Sequence, residues 1–312
     1  MKHLRIIFIV ITVMALQFYA SIAMAYSGMA KVGDNAYLIV HDVKSDEKGN
    51  RLGLLTLGKD KSPKYTKVII KNWKHSDGAA SDLESICKLP GKTDEFLIAE
   101  SGYWNEKFGR IFHIRLKKKR KQAIVLNIFH LPKIIGSSEK IDGDNFEGMT
   151  CFQKQQSIYV VLGERGGSAT YRDSFLRIGI LDLNNNSLSW EKFKNTPIKI
   201  SAPGKWNDAR KMHSISDLYT DNNGIVWSVA TQDPGDQGPF RSIIYQAATV
   251  IDPKDNRPLK ALNNSKIYWT IDGLKVESLS APTKIVPNSF MSIGTEDENY
   301  QGVWRPLFKP LD

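Results

Sequence analysis

Leu83-Glu84-Ser85-Ile86-Cys87-Lys88-Leu89, then Glu95-Phe96-Leu97-Ile98-Ala99-Glu100, are two short strand-like runs divided by a Pro90-Gly91 turn signal. Two more runs follow, Arg110 to Leu116 and Ala123 to Leu131, set off by a Gly102 to Gly109 loop and the turn Lys117-Lys118-Lys119-Arg120-Lys121. The same quartet recurs. The first repeat has a short opening strand, then Ala36 to Asp42, Arg51 to Leu57 and Tyr65 to Trp73. The third repeat offers Ser157 to Leu162, Phe175 to Leu183 and Ser187 to Phe193 after its opening strand, and the fourth offers Ile225 to Ala230, Ser242 to Ile251 and Lys266 to Ile271. The fifth has Val276 to Leu279, Phe290 to Ile293 and Gly302 to Leu307, which leaves its outer strand unassigned.

One tripeptide opens each repeat: Ser27-Gly28-Met29, Glu84-Ser85-Ile86, Glu147-Gly148-Met149, Ser216-Asp217-Leu218 and Glu277-Ser278-Leu279. The copies lie about sixty residues apart, longer than a WD40 blade and suited to four strands with generous loops. With no convincing amphipathic helix in the chain, the reading is all-β: a five-bladed β-propeller of four-stranded blades, the last incomplete. A sandwich gives no reason for the same motif to return once per repeat.

Blade topology turns the repeat into a candidate site. Loops entering each first strand and joining the second strand to the third lie on one face, so Ser27, Glu84, Glu147, Ser216 and Glu277 are expected to ring one channel mouth. Three converging carboxylates raise one another's pKa values unless a cation relieves them, and an oxygen-only donor set suits Ca²⁺ better than Zn²⁺. The competing expectation is that they cap neighbouring backbone amides and bind nothing. Around them, Arg51, Arg110 and Arg241 open third strands, while Arg165, Arg172 and Arg305 stand in equivalent loops. Lys74, Lys205, Lys211, His75 and His213 belong to the same face. Arginine's planar fork suits phosphate or carboxylate, so these residues are expected to hold a small anionic substrate, or else to pair between blades with Glu100, Glu164 or Glu296.

Charge and the leader set the setting. The chain carries a formal charge of +10 over 312 residues. No aromatic-interleaved basic motif supports nucleic-acid binding, and the Lys117–Lys121 cluster reads as a solvated turn. Residues 1–25 hold Lys2 and Arg5, an apolar run from Ile6 to Leu16 and a small-residue end Ala23-Met24-Ala25, the pattern of a cleaved signal peptide. Residues 26–312 are then expected to form a single exported domain, periplasmic or secreted, without a later membrane segment. Cys87 and Cys151 fall three and four residues after Glu84 and Glu147. That opposite parity predicts two buried thiols pointing to different faces rather than a bridge.

Asp82-Leu83-Glu84-Ser85-Ile86, Phe96 to Gly102 with Gly109-Arg110-Ile111-Phe112, and Asn145-Phe146-Glu147-Gly148-Met149-Thr150 resemble the phytase-like, esterase-like propeller family of exported bacterial proteins. The likeness covers mainly the second and third repeats. The ring order Ser, Glu, Glu, Ser, Glu is also similar to that of the five-bladed calcium-dependent nucleotidases, the apyrases. Both resemblances imply metal-assisted hydrolysis of phosphate esters or anhydrides, with Ca²⁺ at the ring and arginines on the phosphoryl oxygens. A ring carboxylate such as Glu147 or a rim acid such as Glu100 is the candidate base, and the sequence does not choose between them. Absence of G-x-S-x-G argues against a serine esterase, and absence of H-E-x-x-H or paired Cys-x-x-Cys against zinc. Two other readings stay open: a lactone or sugar-acid hydrolase, and a non-catalytic propeller with structural calcium.

Overall fold

A computed structural model describes residues 25–74, 77–104, 107–132, 146–167, 173–190, 197–235, 237–254, 257–262, 265–296 and 302–310. Nearly all of the expected leader, together with His75 and Arg172, lies outside the described residues.

Five antiparallel sheets follow one another along the chain. Blade 1 is β1 (Gly28–Gly33), β2 (Ala36–Val40), β3 (Leu52–Leu57) and β4 (Pro63–Val68). In blade 2, β5 (Leu83–Lys88), β6 (Glu95–Glu100), β9 (Arg110–Leu116) and β10 (Ala123–His130) pair in that order, and a small hairpin of β7 (Tyr103–Trp104) and β8 (Lys107–Phe108) stands between β6 and β9. Blade 3 runs β11 (Phe146–Lys154), β12 (Ser157–Glu164), β13 (Ser174–Asp182) and β14 (Ser187–Ser189), with β15 (Ile198–Ile200) also paired to β13. Blade 4 is β16 (Met212–Thr220), β17 (Ile225–Gln232), β18 (Arg241–Lys254) and β19 (Arg257–Ala261), with β20 (Ile267–Asp272) sharing the edge of β18. Blade 5 has three strands, β21 (Lys275–Ser280), β22 (Ser289–Glu296) and β23 (Trp304–Phe308). The first strands β1, β5, β11, β16 and β21 touch in sequence and β21 returns to β1, which closes a ring of inner strands around a channel. The chain is therefore a five-bladed β-propeller.

The core is five slabs, one between each pair of blades. In β6, Phe96 and Ile98 pack toward blade 1, whereas Leu97 and Ala99 pack toward blade 3. Each sheet is thus apolar on both faces, which is why its strands read as continuous apolar runs rather than strict alternation. Blades 5 and 1 share the slab built on Tyr26, Met29, Tyr37 and Trp304. They are joined without a common strand: Tyr26 N donates to Thr295 O (3.2 Å), Tyr37 Oη lies 2.8 Å from Ser292 Oγ, and Thr283 Oγ1 donates to Asp34 O (2.8 Å). The sequence missed β15 and β19 because the outer edges of β13 and β18 are each shared by two short strands.

The expectation of free thiols is overturned: Cys87 and Cys151 form a disulfide, with Cα atoms 5.7 Å apart. The parity observation was sound and its interpretation inverted. Stacked blades meet front to back, so a side chain on one face of β5 meets one on the opposite face of β11. Cys87 belongs to the slab between blades 2 and 3, and Cys151 packs against that slab from the other side.

Candidate functional site: the acid end of the channel

Each inner strand carries its tripeptide at the same end of the channel. In three blades the first position is a β-bulge, since pairing skips Glu84 between Leu83 and Ser85, Glu147 between Phe146 and Gly148, and Glu277 between Val276 and Ser278. Blade 4 shifts register between His213 and Asp217, a span that includes Ser216. Ser27 directly precedes β1. A bulge re-aims one side chain without breaking the strand, and here it frees the glutamates from the inter-blade slabs.

The second position is small for a steric reason. A Cβ on Gly28 would lie 3.0 Å from Ser85 Cα, and one on Gly148 would lie 2.8 Å from both Asp217 C and Leu218 N. At these two glycines adjacent inner strands approach too closely for a larger side chain. Asp217 is the exception, and it uses the position as a staple: its Oδ2 accepts from Leu279 N of blade 5 (2.6 Å), and it also accepts from the backbone of Leu218 and of Met149 in blade 3. Burial pushes its carboxyl well above the usual range despite these donors.

The glutamates differ in their company. Glu84 lines the channel wall. Burial, with the charges of Glu147, Asp82, Asp42 and Glu277 adding to it, pushes its carboxyl well above the usual range, and among the described residues no cation pairs with it. Glu147 is buried and accepts from Arg165 Nη1 (2.9 Å). Glu277 is buried beside Lys275, whose Nζ lies 2.9 Å from Glu277, 2.5 Å from Glu296 and 3.1 Å from Asp233. Burial and Glu296 drive Glu277 well up despite Lys275. Burial opposes ionisation of Glu296 as well, but the hydrogen bond from Glu277 and the charge of Lys275 outweigh it and hold Glu296 low. The pair is thus held with the two carboxyls pushed in opposite directions, Glu277 up and Glu296 down. His213, buried near Arg165, Asp233 and Lys275, is pushed down to about 3 by burial and then by Arg165, so it is neutral. Asp42 is raised to about 6 by burial and by Glu296.

The structure brings Glu84, Glu147 and Glu277 within electrostatic reach of one another. Among the described residues no group of three or more His, Cys, Asp or Glu side chains is arranged to hold a metal ion. The donor set explains this: Glu147 is turned to Arg165 and Glu277 to Lys275 and Glu296, so the chain supplies its own cations. Ser27 Oγ is buried without a hydrogen-bond partner, and Ser216 is buried nearby on β16.

The arginine shell does not converge either. Arg110 is fully buried, paired with Glu100 (2.5 Å), donating to Gly78 O and Ala79 O and stacked on Phe108 and Phe112. Glu100 also accepts from Ser81 N (2.9 Å) and Arg110 N (2.9 Å), which fills its acceptor positions. Arg51 is spent on the backbone carbonyls of Ala80, Gly49 and Lys44. Arg241 pairs with Asp272 (2.6 Å), and Arg305 is exposed on β23. Glu100, Glu164 and Glu296 do find cations, namely Arg110, Arg177 and Lys275, but each pair lies within one blade. The sequence reading missed Lys275 and Asp217. Lys275 stands two residues before Glu277, yet nothing in its neighbours signals that three acids close on it.

No protein-family model matches this sequence. No curated protein matches it either. Solved structures do. A thermostable family-43 glycoside hydrolase superposes with a TM-score of 0.51 at 11% identity, covering 92% of this chain and 88% of that one. An exo-1,5-alpha-L-arabinanase from a bovine ruminal metagenomic library gives 0.48 at 10% identity over 91% and 93%. An alpha-L-arabinofuranosidase from Lactobacillus brevis gives 0.48 at 12% identity over 91% and 90%. At such identities the likeness is one of fold. It supports the propeller and lends nothing to a phytase-like or apyrase-like assignment. Among the described residues no helix is long and apolar enough to cross a membrane.

Proposed function

We propose that the acid end of the channel is a hydrolytic site for glycosidic bonds in a neutral carbohydrate, in an exported protein. The observation that carries this reading is the division of labour among the three bulge-borne glutamates. Glycoside hydrolysis needs one carboxyl that holds its proton and one carboxylate that accepts one. Glu84, whose surroundings favour the protonated form, is the general acid that delivers a proton to the leaving oxygen. Glu147, oriented by Arg165, is the base that draws a proton from the attacking water. Glu277, Glu296 and Lys275 form a fixed wall that keeps the mouth from accumulating negative charge.

Charge favours a neutral substrate over a phosphorylated one. Among the described residues, Lys44, Arg165 and Lys275 are set against Asp42, Asp82, Glu84, Glu147, Asp233, Glu277 and Glu296 around the mouth. A phosphate entering there meets like charge, and Arg51, Arg110 and Arg241, expected to hold it, are engaged elsewhere. The family-43 neighbour, a glycoside hydrolase by its description, supports the choice of bond class. No step is routed through calcium.

The test is a panel of aryl glycosides, arabino-oligosaccharides, lactones, ADP and phytate, each with and without EGTA. Release of sugar that survives EGTA and is lost in Glu84→Gln and Glu147→Gln is the expected result. Phosphate release abolished by EGTA would overturn this reading in favour of calcium chemistry, and inactivity across the panel would leave a binding propeller.

A further inference from the structure

The far end of the channel holds a cavity of about 390 Å³. Its floor is the third position of every tripeptide, Met29, Ile86, Met149, Leu218 and Leu279, which seals it from the acid end. Above that floor the lining is close to half polar, with Thr150, Tyr219, Thr220, Asn222 and Ser280 contributing to it. Thr150 and Thr220 satisfy each other, hydroxyl to hydroxyl, at 2.9 Å. The charged groups are mainly cationic: Lys31, Lys88 and the single acid Asp34 line the cavity, and Lys284 stands outside it against Asp34.

Lys31 is held in an uncomfortable place. Its Nζ donates to Pro282 O (2.5 Å), and its side chain is half-buried. Burial disfavours its charge, Lys284 and Lys88 repel it, and Asp34 is the one acid that helps. Asp34 is itself shared with Lys284 (3.1 Å) at the exposed rim. Three ammonium groups thus meet one carboxylate beside a chamber with an apolar floor. The volume lies in the range of small-ligand pockets, which are mostly apolar with a few placed polar groups.

We infer that this cavity is a binding site for a small organic anion with an apolar body, whose carboxylate sits between Lys31 and Lys88 and whose chain fills the space over the apolar floor. Shape and charge both enter the inference. A neutral amphiphile leaves the lysines mutually repelled, and an inorganic anion leaves the apolar floor in water. The site is independent of the glycosidic reading, since the apolar ring separates it from the glutamates.

Isothermal titration of the intact protein with octanoate tests it, with octanol and octylammonium as matched probes. Octanoate is expected to bind, octanol about tenfold more weakly, and octylammonium not at all. Lys31→Gln combined with Lys88→Gln is expected to weaken octanoate about tenfold, while Lys118→Gln on the exposed basic turn and Glu84→Gln in the ring leave it unchanged. Circular dichroism of the lysine variants guards against misfolding. Absence of octanoate binding at millimolar concentration, equal binding of octylammonium, or unchanged affinity in the double lysine variant overturns the proposal.

Discussion

The two ends of the channel are built by the same five strands and share almost no chemistry. At one end, bulges at the first tripeptide position aim Glu84, Glu147 and Glu277 inward, where carboxyls settle their charge among themselves and with Arg165 and Lys275. At the other, two residues further along, Met29, Ile86, Met149, Leu218 and Leu279 line an open chamber with lysines at its mouth. The difference is one of local register. In three of the strands a single bulge residue places a glutamate at the polar end, and the regular pleat beyond it restores apolar lining.

The largest expected effect lies in the chemistry of the acid end. Glu84→Gln and Glu147→Gln each remove a proton-transfer group and are expected to lower kcat on a glycoside substrate about 10²- to 10⁴-fold. Stopped-assay kinetics beside Lys31→Gln check this, because a comparable loss in the lysine variant would show that the two ends are not separate.

Lys275→Met tests what neutralises the acid wall. It leaves Glu277, Glu296 and Asp233 without their shared cation, and removal of one partner of a largely buried ion cluster costs about 3 kcal/mol. Urea denaturation is the measurement. The loss is expected to be greater at pH 8 than at pH 5, because protonation of the orphaned acids relieves them at low pH. An equal loss at both would mean that Lys275 acts through packing.

Gly148→Ala probes the layer between the ends. The new Cβ meets the backbone of Asp217 and Leu218 at 2.8 Å, so β11 and β16 must part, at about 1–3 kcal/mol. Thermal unfolding reads the cost, and a neutral result would show that the inner strands are less tightly ringed than drawn.

The smallest effect is a pH signature. Burial lowers His213 from 6.5 to about 3. A histidine depressed in the folded state contributes stability above its unfolded pKa and loses it as pH falls toward the folded one. The stability advantage of the natural protein over His213→Gln is therefore expected to shrink as pH falls from about 6.5 to 4. A constant difference would remove His213 from the buried mouth.

Much of the fold was legible. Blade 2 was readable strand by strand, since Pro90-Gly91 and the basic turn punctuate it, and β5, β6, β9 and β10 fall within a residue of expectation. The split outer edges of blades 3 and 4 were not, because β15 and β19 are too short to carry a pattern. The glutamate ring was legible as a repeat. Its counter-ions were not: Lys275 lies on the same strand as Glu277, but Glu296 and Asp233 come from β22 and from the end of β17. The arginines misled for the complementary reason, since their recurrence is real but Arg51, Arg110 and Arg241 fold back on their own blades.

By itself the sequence determined the number of blades and the place of the acidic motif on each first strand, because both are local and repeat. Tertiary structure alone decided the protonation of the glutamates, the pairing of Cys87 with Cys151 and the chamber beneath the apolar ring. Those depend on which faces of neighbouring blades meet and how deeply each charge is buried, and both are set by closing the ring.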